Sequence, residues 1–142
     1  MRGQAGLEFV AVMGFAILFF AVASLAASQY SNQVNAKAES VDASRFAAQV
    51  SSVASIASVS TGYRSEFDVP GALSSGALYS IVVGNASVTV SFEGQRGFVN
   101  VSAPHSAYAV TDNESSGPGF ALAGGRYAAY EQGGIVVFEK IG

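Results

Sequence analysis

The sequence predicts an α+β fold, in which a long N-terminal hydrophobic α-helix is followed by a small, mostly antiparallel β-sheet domain. No side chain from Phe9 to Ser28 is charged, and helix-compatible residues continue well beyond that run. After residue 76, short β-rich runs alternate with turn signals that contain Gly and Asn, as in hairpins. A chain of 142 residues allows about one folded domain beside such a helix.

Composition narrows the functional classes. Half of the residues are hydrophobic and 12% are charged, whereas about a quarter of a soluble domain is usually charged. The net charge of −3 comes without a basic patch, which argues against nucleic acid as a partner. Without cysteine, the chain has no disulfides, no thiol catalysis and no thiolate metal sites. We expect no cofactor and no metal.

The charge-free run is long enough to cross a membrane. Its 20 residues, at 1.5 Å each, span a bilayer core of about 30 Å. We therefore expect residues 5–28 or so to be transmembrane. Glu8 lies at the edge of this run. A carboxylate is costly in lipid, so Glu8 is a functional-site hypothesis that requires a partner.

The helix is predicted to continue to about residue 61, where Gly62 is a plausible C-terminal cap. Beyond the apolar run the pattern becomes amphipathic. The apolar positions are Tyr30, Val34, Ala38, Val41, Ala48 and Val53. The predicted polar side consists of Lys37, Glu39, Asp42, Arg45 and Gln49.

Residues 62–76 carry a linker signature of Gly, Pro and Ser, and residues 77–142 are predicted to form the β domain. Alternation is clearest in Ser87–Phe92, where Val88, Val90 and Phe92 should share one face. The predicted strands are Leu78–Val83, Ser87–Phe92, Phe98–Ser102, Ala107–Thr111, Arg126–Glu131 and Ile135–Lys140. A turn is predicted at residues 93–97, and Gln132-Gly133-Gly134 indicates a hairpin.

Three interpretations of the N-terminus compete. An ordinary secretory signal would be cleaved near Ser24 or Ala27, but the basic leader is weak and the run is unusually long. A plain signal anchor explains the span but gives no reason for Glu8. The third interpretation rests on Arg2-Gly3-Gln4-Ala5-Gly6-Leu7-Glu8-Phe9, which resembles the class III (prepilin) signal peptide of archaeal type IV pilin-like proteins.

That resemblance implies cleavage between Gly3 and Gln4 by a prepilin peptidase, which removes residues 1–3 as a leader. Residues 4–61 would then assemble, with the pilus assembly machinery, into a homo-oligomeric helical filament. The precursor would lie in the plasma membrane, and the filament at the cell surface would serve adhesion. Such a chain is a structural protein and not an enzyme. The assembly residues would be Glu8, Phe9, Gly14, Phe15, Phe19 and Phe20.

Two other functional classes stay open at this point. One is a subunit of an archaellum or a minor pseudopilin, and the other is a monomeric membrane-anchored surface binding protein. Three N-x-Ser sequons in the β region, at Asn85, Asn100 and Asn113, are candidate N-glycosylation sites. His105 is expected in a loop. We expect sheet core rather than surface for the aromatic residues Phe120, Tyr127, Tyr130 and Phe138.

Overall fold

The computed structural model describes residues 2–94, 97–113 and 119–142, with side chains from residue 6 onward. Helix α1 runs from Arg2 to Val59 without a break, so the predicted long helix is confirmed. Gly62 follows with a φ of +79°, the left-handed conformation expected of a helix C-cap. The chain divides into two compact units, Met1–Asn35 and Ala36–Gly142.

The predicted fold class is confirmed, with two sheets in place of one. The described residues form the strands β1 (Arg64–Val69), β2 (Tyr79–Val83), β3 (Ser87–Gly94), β4 (Gly97–Pro104), β5 (Val110–Asp112), β6 (Phe120–Leu122), β7 (Gly125–Gln132) and β8 (Ile135–Lys140). Sheet A has the order β1-β7-β8-β5, and sheet B has the order β4-β3-β2-β6. All pairs are antiparallel except β5 with β8.

The alternating strand and the hairpin with the clearest sequence signals both form as predicted. In β3, Val88, Val90 and Phe92 are buried, and the residues between them are half-buried. The β7–β8 hairpin closes through Gly133 and Gly134, whose φ values are +64° and +85°. A two-residue turn with positive φ at both positions strongly favours glycine, because other side chains would be strained there.

The predicted linker over residues 62–76 needs correction, because β1 lies within it. Phe67 and Val69 are buried, while Arg64, Glu66 and Asp68 are exposed on the other side of the strand. The short strand β6 was also not predicted, and β5 begins three residues later than expected. The predicted turn residues 95 and 96 lie outside the described residues, as do Met1 and the sequon residues Glu114 and Ser115.

One hydrophobic core joins both sheets and residues 43–57 of α1. Phe120 of sheet B meets Phe138 of sheet A with ring centroids 5.5 Å apart, and Phe67 packs edge-on against Phe138. The helix contributes small side chains to this core: Ala43, Ala47, Val50, Ala54 and Ala57.

The buried face of α1 differs from the predicted one. Glu39, predicted on the polar side, is only 8% exposed, whereas Val41 is 58% exposed. Of the six predicted apolar positions, only Val53 packs partly against the core. The reason is steric, because alanines let the helix backbone approach the bulky side chains of the sheets closely.

Candidate assembly and modification sites

The apolar segment of α1 is exposed along its length. No residue from 6 to 35 is buried, and Phe9, Phe15, Phe19 and Phe20 are between 65% and 75% exposed. The most apolar 18-residue window has a mean hydropathy of 2.5, with none of it buried. By length and composition, α1 can cross a membrane. This surface requires lipid or protein outside the chain to cover it.

Gly14 lies within this segment, and its missing side chain is not required by the fold of the chain. Apart from its two chain neighbours and the adjacent backbone of α1, a Cβ at Gly14 would meet no described atom within 4 Å. Glycine within a helix costs about 1 kcal/mol relative to alanine. Its presence therefore favours close approach by something outside this chain, such as a second helix.

Glu8 is exposed one residue before the charge-free run. Among the described side chains, Glu8 takes part in neither of the two ion pairs, which join Arg64 to Glu139 and Arg126 to Glu66. Gly3 and Gln4 belong to the first turn of α1, but their side chains lie outside the described part. Positions 4 and 8 are about one helical turn apart, which is the spacing of neighbours on a helix surface.

A second exposed surface of α1 lies further along the chain than the apolar segment. Val41, Ile56 and Val59 are 58%, 43% and 79% exposed. At 3.6 residues per turn these positions fall on the side of the helix opposite Ala43, Ala47 and Ala54. The helix is therefore buried on one face by the β domain and carries apolar side chains on the other. Tyr30 and Val34 are exposed as well.

Side-chain hydrogen bonds attach residues 42–55 of α1 to the β domain. The Asp42 carboxylate accepts hydrogen bonds from the backbone N–H and the hydroxyl of Ser74. The Ser51 hydroxyl donates to the carbonyl of Pro104. One turn further along, the Ser55 hydroxyl accepts from the backbone N–H of Ser106 at 3.2 Å. These bonds fix the rotation of the helix about its axis, and hence which face stays uncovered.

The three candidate glycosylation sites are all exposed asparagines, in three different settings. Asn85 lies in the turn between β2 and β3, and Asn113 follows β5, where its N–H donates to the carbonyl of Phe138. Asn100 lies in the middle of β4, which is an edge strand of sheet B.

The remaining predicted positions are structural. Phe120, Tyr127 and Phe138 are buried, as predicted, and the half-buried Tyr130 lies beneath the guanidinium of Arg64 at 5.4 Å. His105 follows β4, and its Nε2 lies 2.7 Å from the carbonyl oxygen of Gly84. Sequence reasoning missed two aromatic side chains that are exposed, Phe98 at 80% and Tyr108 at 94%. Phe98 lies in β4 and Tyr108 in the loop before β5, and because the sequence predicts a strand at each position, it gives no signal for their exposure.

One open cavity of about 280 Å³ lies at the ends of β5, β6 and β8. Its lining includes the polar residues Asp112, Asn113, Glu139 and Lys140 and the aromatic residues Tyr127 and Phe138. The hydroxyl of Tyr127 accepts a hydrogen bond from the N–H of Ala123 at 3.1 Å. Over the described ranges, no group of three or more His, Asp or Glu side chains is placed to hold a metal ion.

The fold and these surfaces define an α+β protein with an exposed, membrane-competent N-terminal helix. Comparisons with protein-family models, with curated proteins and with solved structures find no match. The functional argument therefore depends on the residues themselves.

Proposed function

We propose that this chain is the precursor of a subunit of an archaeal type IV pilus-like surface filament. The observation that carries the proposal is an exposed, charge-free helical segment, immediately preceded by residues 2–9, which resemble a class III signal peptide. The precursor would enter the plasma membrane and lose residues 1–3. It would then polymerise through residues 4 to about 60, and the β domain would form the outer surface used for attachment.

The apolar segment suits two environments in succession. Lipid covers it before assembly, and helices of neighbouring copies cover it afterwards. Because both environments are apolar, the transfer changes hydration little, and close packing supplies the preference for the filament. Gly14 and the alanines of the segment allow helix backbones to approach, while Phe15, Phe19 and Phe20 fill the spaces between them.

In this proposal, an ion pair made by Glu8 fixes the position of each new copy relative to its neighbour. Cleavage after Gly3 would remove the positive Arg2 and free the α-amino group of Gln4, which carries a positive charge near neutral pH. The amine lies one turn from Glu8 in the same helix, and it could also reach Glu8 of an adjacent copy. A paired carboxylate is tolerated in an apolar core, whereas an unpaired one is strongly destabilising.

The part of α1 beyond the bilayer supports a filament over a simple anchor. An anchor does not require the apolar stripe at Val41, Ile56 and Val59, which the β domain leaves exposed. In a filament, the same stripe extends the contact between copies beyond the membrane segment. A monomeric surface binding protein would leave this stripe in water.

The test uses cells that lack the chain and express either the wild type or a variant. With Glu8→Ala, we expect the protein to reach the membrane in normal amount but to form few or no surface filaments in electron micrographs. Glu66→Gln is the matched control, because Glu66 is an exposed carboxylate of the β domain paired with Arg126 at 2.7 Å. Normal filaments from Glu8→Ala would contradict the assigned role.

A further inference from the structure

Each of the two sheets has two edge strands, and three of these four strands carry a feature that discourages pairing with another chain. In sheet A, β1 presents Arg64, Glu66 and Asp68 to solvent. The other edges, β5 in sheet A and β6 in sheet B, are three residues long. Charge and shortness are two common ways in which proteins protect sheet edges.

Strand β4 is the exception. It is eight residues long, Gly97–Pro104, and none of its side chains is charged. Phe98 is 80% exposed, and no described strand pairs with its outer side. Pro104 lacks a backbone donor and its carbonyl accepts a hydrogen bond from Ser51 of α1, but both features lie at the end of the strand. A long, uncharged edge of this kind is a template for pairing with a strand of another molecule.

The sequon Asn100-Val101-Ser102 occupies the middle of this edge. Asn100 and Ser102 are both exposed and, being two residues apart in a strand, project from the same face of the sheet. Their cross-strand partners are small, Ser91 opposite Asn100 and Thr89 opposite Ser102. The Ser102 and Thr89 hydroxyls share a hydrogen bond of 2.9 Å. Small neighbours leave room for a bulky group on Asn100.

We propose that Asn100 carries an N-linked oligosaccharide and that this glycan protects the open edge of sheet B. The donor would be an oligosaccharide activated on a lipid phosphate. The amide nitrogen of Asn100 displaces that phosphate from the anomeric carbon, so that a C–N bond forms and a C–O bond breaks. The phosphate carrier leaves with the bonding electrons, and the amide gives up one proton to a base.

The glycan acts by excluding other strands. A bulky, hydrated group beside β4 prevents a second copy from reaching its free N–H and C=O groups. In a crowded filament, where β domains lie next to one another, this keeps contacts on the helices. The inference depends on the proposed function only in requiring that the β domain be exported to a compartment where glycosylation occurs.

The first measurement is mass spectrometry of the protein purified from its native membranes or filaments. Chymotrypsin cuts after Phe98 and Tyr108, so the peptide 99–108 contains Asn100 and no other sequon. We expect this peptide to carry an oligosaccharide mass. A bare Asn100 peptide would overturn the proposal, whatever the N-terminus of the same material proves to be.

The second measurement compares two substitutions at Asn100 in the full-length protein, produced in its native cells and held in detergent. Asn100→Gln removes the glycan and leaves the edge unprotected, so we expect loss of the monodisperse species in light scattering. Asn100→Lys also removes the glycan but places a charge on the edge, and should stay as soluble as the wild type. Asn85→Gln, which removes a sequon in a turn and not on the edge strand, is the control. Wild-type solubility of Asn100→Gln, or aggregation of Asn100→Lys, would contradict the protective role.

Discussion

The ring of Phe46 in α1 stacks on the ring of Tyr79 in β2, with centroids 5.7 Å apart and planes 10° from parallel. The Tyr79 hydroxyl donates a hydrogen bond to the carbonyl of Pro70. Together with the bonds from Asp42 and Ser51, this contact holds the helix against the β domain within residues 36–142. It determines which helix face is buried, and therefore which face stays uncovered.

Tyr79 should make the free energy of unfolding depend on pH in the alkaline range. Burial raises the pKa of Tyr79 above its usual value near 10. The folded state therefore retains the phenol proton more strongly than the unfolded chain. This stabilisation is complete below a pH of about 10 and is lost as the pH rises through the folded-state pKa.

Tyr79→Phe should accordingly lose less stability than the wild type as the pH rises above about 10, the usual pKa of the phenol. At neutral pH the same variant should be less stable by about 0.5–1.5 kcal/mol, because the bond to Pro70 is absent. Urea unfolding of the full chain in detergent measures both effects. Tyr108→Phe, at a ring that is 94% exposed, is the control. An unchanged alkaline slope in Tyr79→Phe would refute the prediction.

Replacing either of two adjacent alanines in α1 by leucine should have very different effects on stability. Ala47 is fully buried against the sheets, whereas Ala48 is exposed. Ala47→Leu should lower the free energy of unfolding by about 1–3 kcal/mol, because the packed core has no room for the added carbons. Ala48→Leu should change it by less than about 0.5 kcal/mol. Equal effects in thermal or urea unfolding would show that the buried face has been assigned incorrectly.

Glu39 should lower the free energy of unfolding of the single chain. Its side chain is buried, and its Oε2 atom has no hydrogen-bond partner among the described residues. Glu39→Gln keeps the volume and removes the formal charge, so we expect a gain of about 1 kcal/mol or more in unfolding free energy. Glu66→Gln, at an exposed ion pair, should change stability by at most about 1 kcal/mol. A less stable Glu39→Gln would mean that the carboxylate has a partner.

The elements predicted from the sequence are those whose signal is local. The apolar run of α1, the alternation in β3 and the paired glycines after Gln132 each specify their structure within a few residues. Strand β1 was missed because its alternation, with Phe67 and Val69 facing inward, lies between Gly62 and Pro70, which indicate a loop. Three residues in β6 are too few to show a period.

The buried face of the helix could not be predicted because its large apolar side chains lie on the exposed face. Hydropathy patterns give most weight to Tyr30, Val34 and Val41, yet these side chains are exposed. The face that packs is marked by alanines, whose value lies in letting two backbones come close. The exposed apolar residues of α1 were predictable as a group, because their charge-free run is unbroken. Their role in assembly stays a prediction.

The N-terminus of the native protein tests the central claim most directly. Mass spectrometry of protein isolated from cells, and of any filaments sheared from their surface, determines where the mature chain begins. We predict a chain that starts at Gln4 and retains the whole apolar segment. A chain that begins near Ser24 or Ala27, or one that keeps Met1, would contradict a helix that is processed after Gly3 and then assembles.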